Sequence, residues 1–266
     1  MLPQVTVVTS VLNGAKTLPR CLASVAQQTD PCEHIVVDGG STDGTLEVVR
    51  SFGAPHLRLV EAPGAGISRA FNLGIQQATG DFIGILNADD WYEPDAMERS
   101  VAGLAQNPQA GFSYGAVVVH ERDYRVLAQP LTESRLYTRD ALVQIPFNHI
   151  SSMVRRSVYE EYGLFDERYQ VAMDFDFYCR ILTRGVKGVF IPGIIGHVMG
   201  GGSSSNLPRR WREYWRISSE RIGVPLATYH VARFASRIIF FETLRRMPGG
   251  LNLLRRRHAT RFRIMS

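Results

Sequence analysis

Residues 82–95, Phe82-Ile83-Gly84-Ile85-Leu86-Asn87-Ala88-Asp89-Asp90-Trp91-Tyr92-Glu93-Pro94-Asp95, decide how this chain is read. A short apolar run of strand length ends in an amide and two carboxylates. Carboxylates clustered at a strand end offer a divalent cation hard oxygen ligands at the carboxyl edge of a sheet, where open α/β folds bind their ligands. Taken alone, the same letters describe an Asx-rich turn that merely closes a strand. A second acidic turn weighs against coincidence, because Asp38-Gly39-Gly40-Ser41-Thr42-Asp43-Gly44-Thr45 follows another apolar run, His34-Ile35-Val36-Val37.

Outward from these turns the body alternates strand and helix signals, the pattern of an α/β fold with a mostly parallel sheet and crossover helices. Strands are expected at 4–10, 34–38, 57–61 and 82–86, and helices at 15–28, 45–51, 67–77 and 94–106. Leu18, Leu22 and Val25 recur at helical spacing, and Pro94 stands near a helix start. From Phe112 the period changes to alternation, so 112–121 and 125–128 read as a hairpin around Arg122-Asp123-Tyr124. Short strands at 152–155 and 189–191 and helices at 157–162 and 175–184 complete a mixed second half.

With 266 residues, 45% hydrophobic and 21% charged, the chain can bury a full core. Cys21, Cys32 and Cys179 are odd in number and lack CxxC spacing, which suggests neither a disulfide framework nor a zinc site and points to a reducing cytoplasm. No signal peptide or bilayer-spanning apolar run is read from the sequence. The net charge of +5 conceals an asymmetry: residues 207–266 carry 14 Arg against Glu213, Glu220 and Glu242, which leaves a net of −6 for residues 1–206.

The run Val5-Thr6-Val7-Val8-Thr9-Ser10-Val11-Leu12-Asn13, the turn at 38–45, the segment 78–97 and Gly163-Leu164-Phe165-Asp166 through Ile181 together resemble the family 2 glycosyltransferases of the GT-A fold. The resemblance spans roughly the first 200 residues, in the family's order and spacing. It implies a catalytic domain over 1–206, with a nucleotide-sugar-binding half at 1–110 and an acceptor-binding half at 111–206; beyond it, composition alone reads 207–266 as a basic, aromatic-rich helical tail. The implied activity is inverting transfer of a sugar from a nucleotide-diphosphate donor, UDP before dTDP or GDP, to a hydroxyl of a glycan or lipid-linked glycan in surface-polysaccharide assembly.

Position by position, the resemblance gives Asp38 to the nucleotide base and places Thr9, Val11 and Asn13 against the nucleoside. Asn87, Ala88 and Asp89 fall on the family's DxD motif, with Asp89 as the ligand for Mn²⁺ or Mg²⁺. Asn87 departs from the usual carboxylate, so the cation would be held mostly by Asp89 and the diphosphate. Arg69 supplies a cation for the diphosphate, or is a solvated surface residue. Asp174 matches the catalytic base, although Met173 replaces the Glu that often precedes it; a helix-capping role is the alternative, and Asp176 reads as structural. His149 and Asp166 are candidate acceptor contacts, and His197 a candidate contact to metal or diphosphate. The Gly/Ser run at 200–205 reads as a lid or as a plain linker.

The tail interleaves Trp211, Tyr214 and Trp215 with Arg209, Arg210, Arg212 and Arg216. Three readings stay open: an interfacial helix at the inner face of the cell membrane, a helical appendage packed on the catalytic domain or on a second copy in a homodimer, and, least, a nucleic-acid surface, which is not expected as a partner. Two rival functions also stand, a noncatalytic sugar-nucleotide or glycan-binding module and a nucleotidyltransferase. The second lacks the expected Gly-rich basic loop, since Val11-Leu12-Asn13-Gly14-Ala15-Lys16 is poor in glycine.

Overall fold

A computed structural model describes residues 4–121, 125–130, 145, 147–200, 207–246 and 262–265. Strands β1 (Val5–Val11), β2 (Cys32–Asp38), β3 (Leu57–Glu61) and β4 (Phe82–Asn87) lie parallel in the order β3-β2-β1-β4. They are joined through α1 (Leu18–Ala26), α2 (Thr45–Phe52) and α3 (Ile67–Gln77). The alternation of the strands explains why both faces are covered. Val5, Val7, Val11, Val36 and Leu86 point to one core with Leu18 and Leu22 of α1; Val8, Ile35, Val37, Ile83 and Ile85 point to the other with Phe71 and Ile75 of α3. Gly74 lets α3 approach β1, since a Cβ there would stand 2.2 Å from Cγ1 of Val8.

Past the short β5 (Trp91–Tyr92) and α4 (Ala96–Gln106), the chain forms β6 (Ala110–His120), β7 (Arg125–Ala128) and β8 (Met153–Arg155). Helices α5 (Arg156–Tyr162) and α6 (Met173–Thr183) precede β9 (Lys187–Met199). β8 is antiparallel to both β4 and β6, and β9 runs parallel to β6 while pairing β5 antiparallel. The expected hairpin is present in its two strands, β6 and β7, with its turn at 122–124 outside the described residues.

One strand of the second half departs from the sequence reading, and one of the readings left open for the tail is met. The strand expected at 189–191 extends to Met199, because Pro192 and Gly193 are absorbed in a bulge: Ile191 pairs Gly115, the next pair is Ile194 with Ala116, and Gly193 has φ 89°. The tail begins with α7 (Leu207–Ile222) and α8 (Val224–Arg246), and α7 packs on the catalytic body. Its Tyr214 and Ile217 join the core of the α3 and α6 face, and Tyr214 stacks on Phe175 at 4.4 Å between centroids. A final strand, β10 (Phe262–Met265), pairs antiparallel with β7. Among the described residues no helix is long and apolar enough to cross a membrane. The three cysteines are buried and form no disulfide. The segment 201–206, which holds most of the Gly/Ser run, lies outside the described residues.

Candidate active site

The parallel register brings the carboxyl ends of three strands level, Val11 opposite Asp38 and Ser10 opposite Asn87. Above that edge the first and second loops are laced together. Asn13, the one described non-glycine residue with positive φ, at 54°, donates its N–H to Ser41 and accepts from the N–H of Thr42 on its side-chain oxygen, both at 2.8 Å. The carbonyl of Val11 accepts from Gly39 at 2.9 Å. Val11 and Asn13 therefore shape this loop through backbone and amide groups. Thr9 sits apart from it: its buried hydroxyl meets Nε2 of His34 at 2.9 Å inside the sheet layer, where burial holds the His34 pKa down to about 3.

Asp38 is 1% exposed, and its Oδ1 accepts from the N–H groups of Gly40 and Ser41 at 2.9 and 2.8 Å. Its Oδ2 is buried without a hydrogen-bond partner among the described residues. An unanswered buried acceptor costs on the order of 1–3 kcal/mol, which a ligand N–H would recover.

At the end of β4 the acidic turn divides its labour. Asp90 is buried and accepts from the Asn87 amide nitrogen and from the N–H of Met199, both at 2.8 Å. Burial, reinforced by the neighbouring Asp89, pushes its pKa up to about 6. Ala88 and Asp89 remain partly exposed, and the Asp89 carbonyl accepts from Arg20 at 3.1 Å. Arg20 also lies 3.5 Å above the Trp91 ring, which puts a guanidinium beside the turn that the sequence reading had passed over. Among the described residues no group of three or more His, Cys, Asp or Glu side chains is clustered to hold a metal. The oxygens present at Asn87 and Asp89 are hard donors and fit a divalent cation that draws its remaining ligands from a diphosphate.

The second half brings the candidate base to this turn. Asp174 stands in the first turn of α6, 19% exposed, with Oδ1 accepting from the Phe175 N–H at 2.7 Å. Its Oδ2 lies 3.1 Å from Nδ1 of His149, and Nε2 of His149 lies 3.4 Å from the amide nitrogen of Asn87. Local sequence fixes His149: Asn148 caps a single 3₁₀ turn by accepting from Ile150 at 3.1 Å, and the Ser152 hydroxyl donates to the His149 carbonyl at 2.6 Å. Burial opposes charging the His149 ring, but the hydrogen bond and charge of Asp174, with the charges of Asp90 and Asp89, outweigh it and raise its pKa. Asp176 points into the core, paired with Arg180 at 3.4 Å and Arg221 of α7 at 3.3 Å; burial nevertheless raises its pKa against those two cations.

Of the other expected site residues, two are held by protein partners and one is exposed. His197 has both ring nitrogens engaged, Nε2 by Glu93 at 2.6 Å and Nδ1 by His120 at 2.9 Å, and stacks on Trp91. A cation would have to displace one of those partners, so His197 serves here as a tie between β9 and β5 and not as a preformed ligand. Asp166 is gripped by Arg168, whose hydrogen bonds outweigh partial burial and hold its carboxyl below the usual range. That grip fits a turn brace better than an open acceptor contact. Arg69 is exposed in the first turn of α3.

Glu213 is the residue whose importance the sequence concealed. It comes from α7, is 7% exposed, and accepts from the consecutive N–H groups of Gln170, Val171 and Ala172 at 2.9 to 3.2 Å. Its one visible signal was an acid embedded in an Arg-rich helix.

A mostly parallel sheet with an acidic turn at the end of its fourth strand, facing a carboxylate on a later helix, defines the nucleotide-sugar transferases of the GT-A fold. The profile of Glycosyl transferase family 2 matches residues 6–163, and the chain belongs to that family. It is 34% identical over 187 residues to a PGL/p-HBAD biosynthesis glycosyltransferase of Mycobacterium bovis, covering 68% of this chain and 70% of the relative. Among solved structures it resembles the mannosyltransferase of Pyrobaculum calidifontis in complex with GDP-Man and Mn²⁺, with TM-score 0.65, 21% identity and coverage of 96% of this chain and 79% of that one. It also resembles TarS of S. aureus in complex with UDP-GlcNAc, with TM-score 0.64, 18% identity and coverage of 88% and 72%. The chain is thus a glycosyltransferase, and the nucleotidyltransferase and binding-module readings fall away.

Proposed function

We propose that this glycosyltransferase moves a sugar, with inversion, from a nucleotide-diphosphate donor to a hydroxyl of a glycan or lipid-linked glycan during cell-surface polysaccharide or glycolipid assembly. The observation that carries the reading is the meeting of Asn87 and Asp174 on the two sides of His149, which sets a base beside the donor turn. Asp174 takes the proton of the acceptor hydroxyl as that oxygen attacks the anomeric carbon, and the bond from that carbon to the diphosphate breaks on the opposite face. Asp89 would hold Mn²⁺ or Mg²⁺, which would neutralise charge on the departing diphosphate. Asp38 offers its unanswered Oδ2 to an N–H of the base, and Asn13 and Val11 shape the loop against the nucleoside. Arg20, which donates to the Asp89 carbonyl, is a cation available to the diphosphate, and Arg69 is the second candidate for that role.

UDP is the preferred nucleotide, in keeping with an imide N–H for Asp38, with dTDP and GDP as alternatives. The test is a thermal-shift panel of UDP, GDP, dTDP and CDP, each with and without Mn²⁺, on the wild type and on Asp89→Ala. One diphosphate should raise the wild-type Tm in the presence of Mn²⁺, by about 2.7 kcal/mol of stabilisation at a hundred times its Kd, and the shift should vanish in Asp89→Ala. No shift with any of the four overturns the assignment of Asp38 and Asp89.

The membrane-facing role of the tail is assigned to α8, because α7 spends its apolar side on the catalytic body. Val224, Tyr229 and Phe240 of α8 are more than half exposed. The chain should cosediment with anionic vesicles at low salt and be released as salt rises, each cation contributing up to about 1 kcal/mol. Failure to bind at low salt would refute the attachment and with it a location at the inner membrane face.

A further inference from the structure

We propose that Asn72 and Ser68 of α3 are positioning residues for Asp174, holding the chain that leads into α6 so that the base is set against the turn at Asp38. The proposal rests on Asp174 being the base, and it gives a role to two polar side chains that the donor site does not use.

Ser68 and Asn72 are four residues apart and so share one face of α3. Both are buried, at 0% and 5% exposure, on a helix whose other buried residues are Ala70, Phe71, Gly74 and Ile75. Polar groups persist in such a face when they are hydrogen-bonded, and both of these spend their bonds on backbone. The Asn72 amide nitrogen donates to the Phe165 carbonyl and its oxygen accepts from the Phe165 N–H, each at 2.9 Å. The Ser68 hydroxyl donates to the Tyr169 carbonyl. The pair of bonds to Phe165 requires an amide at position 72, because aspartate of the same shape only accepts and leucine does neither.

What these bonds hold has no regular structure of its own. Residues 163–172 run from α5 to α6 without helix or strand, and Asp174 is the second residue of the helix that follows. Glu213 fastens the last three of those residues to α7, and α3 ties the run to the donor side. The loop that enters α3 is itself bonded to the turn at Asp38: the Ala62 N–H donates to the Asp38 carbonyl at 2.8 Å, and the Gly64 N–H to the Gly39 carbonyl at 2.9 Å. Gln170 lies over Gly66 of the same loop, where an added Cβ would collide with its amide. Packed and hydrogen-bonded groups therefore run without a break from Asp38 through residues 62–66 and the first turns of α3 to Phe165 and Tyr169, and on to Asp174. Removing the Asn72 amide leaves both backbone groups of Phe165 unanswered by α3. The run at 163–172 then follows α7, and Asp174 shifts against a donor turn that stays where it was.

The test is a kinetic cycle on the full chain, with the wild type, Asn72→Ala, Asp174→Asn and the double variant compared by release of nucleoside diphosphate. The donors are UDP-, dTDP- and GDP-sugars, with water as acceptor and Mn²⁺ present. Asn72→Ala should lower kcat by roughly tenfold to a hundredfold with the donor KM little changed, the penalty expected for a base out of place. In the Asp174→Asn background the same change should cost less than about twofold, because a residue that acts through the base has nothing left to position. A kcat unchanged by Asn72→Ala, a loss carried by KM, or an equal loss in both backgrounds overturns the proposal, the last because it marks a general effect on the fold. Retained turnover in Asp174→Asn removes the base assignment and this inference with it, whereas lost turnover there with a normal Asn72→Ala removes this inference alone. Ser68→Ala gives up a single hydrogen bond and serves where Asn72→Ala does not fold; its kcat should fall by about threefold to tenfold in the same pattern. Amide hydrogen exchange of the wild type and Ser68→Ala needs no substrate. Residues 165–176 should exchange faster by about tenfold in the variant while β1, β2 and β4 are unmoved, and equal exchange over 165–176 overturns the proposal.

Discussion

Replacing Asp174 by asparagine is expected to lower turnover by about 10³-fold while donor binding survives. The amide is isosteric, so the first turn of α6 and its packing persist, but an amide cannot take a proton at neutral pH. General base catalysis is worth about 10² to 10⁴ in rate, and Asp174 is the carboxylate that reaches the donor turn through His149. The neighbouring Asp176 cannot substitute, since it is 5% exposed and bound to Arg180 and Arg221. The measurement pairs steady-state release of nucleoside diphosphate with the Mn²⁺-dependent thermal shift. A loss of turnover with an unchanged shift isolates the chemical step. A variant that turns over within about tenfold of the wild type would show that some other group takes the proton.

The donor half of this site was legible because it is local. β1, β2 and β4 are apolar runs that end in Asx-rich turns, and parallel pairing brings such ends together by register alone. The candidacy of Asp174 as base comes only from the resemblance, since an acid in a first helical turn is equally a cap. Its pairing with His149 was not legible at all. The two residues lie on separate elements, and whether a histidine after a loop faces an acceptor or a carboxylate is settled by how β8 and α6 pack. The surroundings of His197 were hidden for a related reason. β9 was read as ending at Ile191, and only the bulge that absorbs Pro192 and Gly193 carries the strand on to pair His197 with Trp91. Composition left the packing of the tail open, because its arginines mark a solvated or membrane-bound face and hide how few buried residues suffice to dock a helix.

Those few residues carry the second large effect. Glu213→Leu is expected to destabilise the fold by about 2–4 kcal/mol, from the loss of a charge-assisted acceptor for buried backbone N–H groups. The N-cap of α6, Ala172, has no side-chain acceptor of its own, and its N–H, with those of Gln170 and Val171 just before the helix, is answered from another helix. Leucine fills much of the volume but leaves Gln170, Val171 and Ala172 without a buried acceptor, and it leaves the Arg209 guanidinium, now 3.0 Å from Glu213, without its carboxylate. At roughly 2–4 °C per kcal/mol for a chain of this size, Tm should fall by about 4–16 °C. Glu213→Gln keeps an acceptor oxygen and the shape, and should cost about half as much. Because Asp174 is the second residue of the helix that Glu213 caps, the two variants should also separate by kcat at temperatures where both remain folded. The leucine variant should be slower by roughly tenfold with its donor KM little moved, and the glutamine variant close to wild type. A leucine variant as stable as the wild type would mean that those N–H groups find water instead, and that α7 docks through Tyr214 and Ile217 alone. A leucine variant that is less stable but has normal kcat would mean that α7 supports the fold without setting the base.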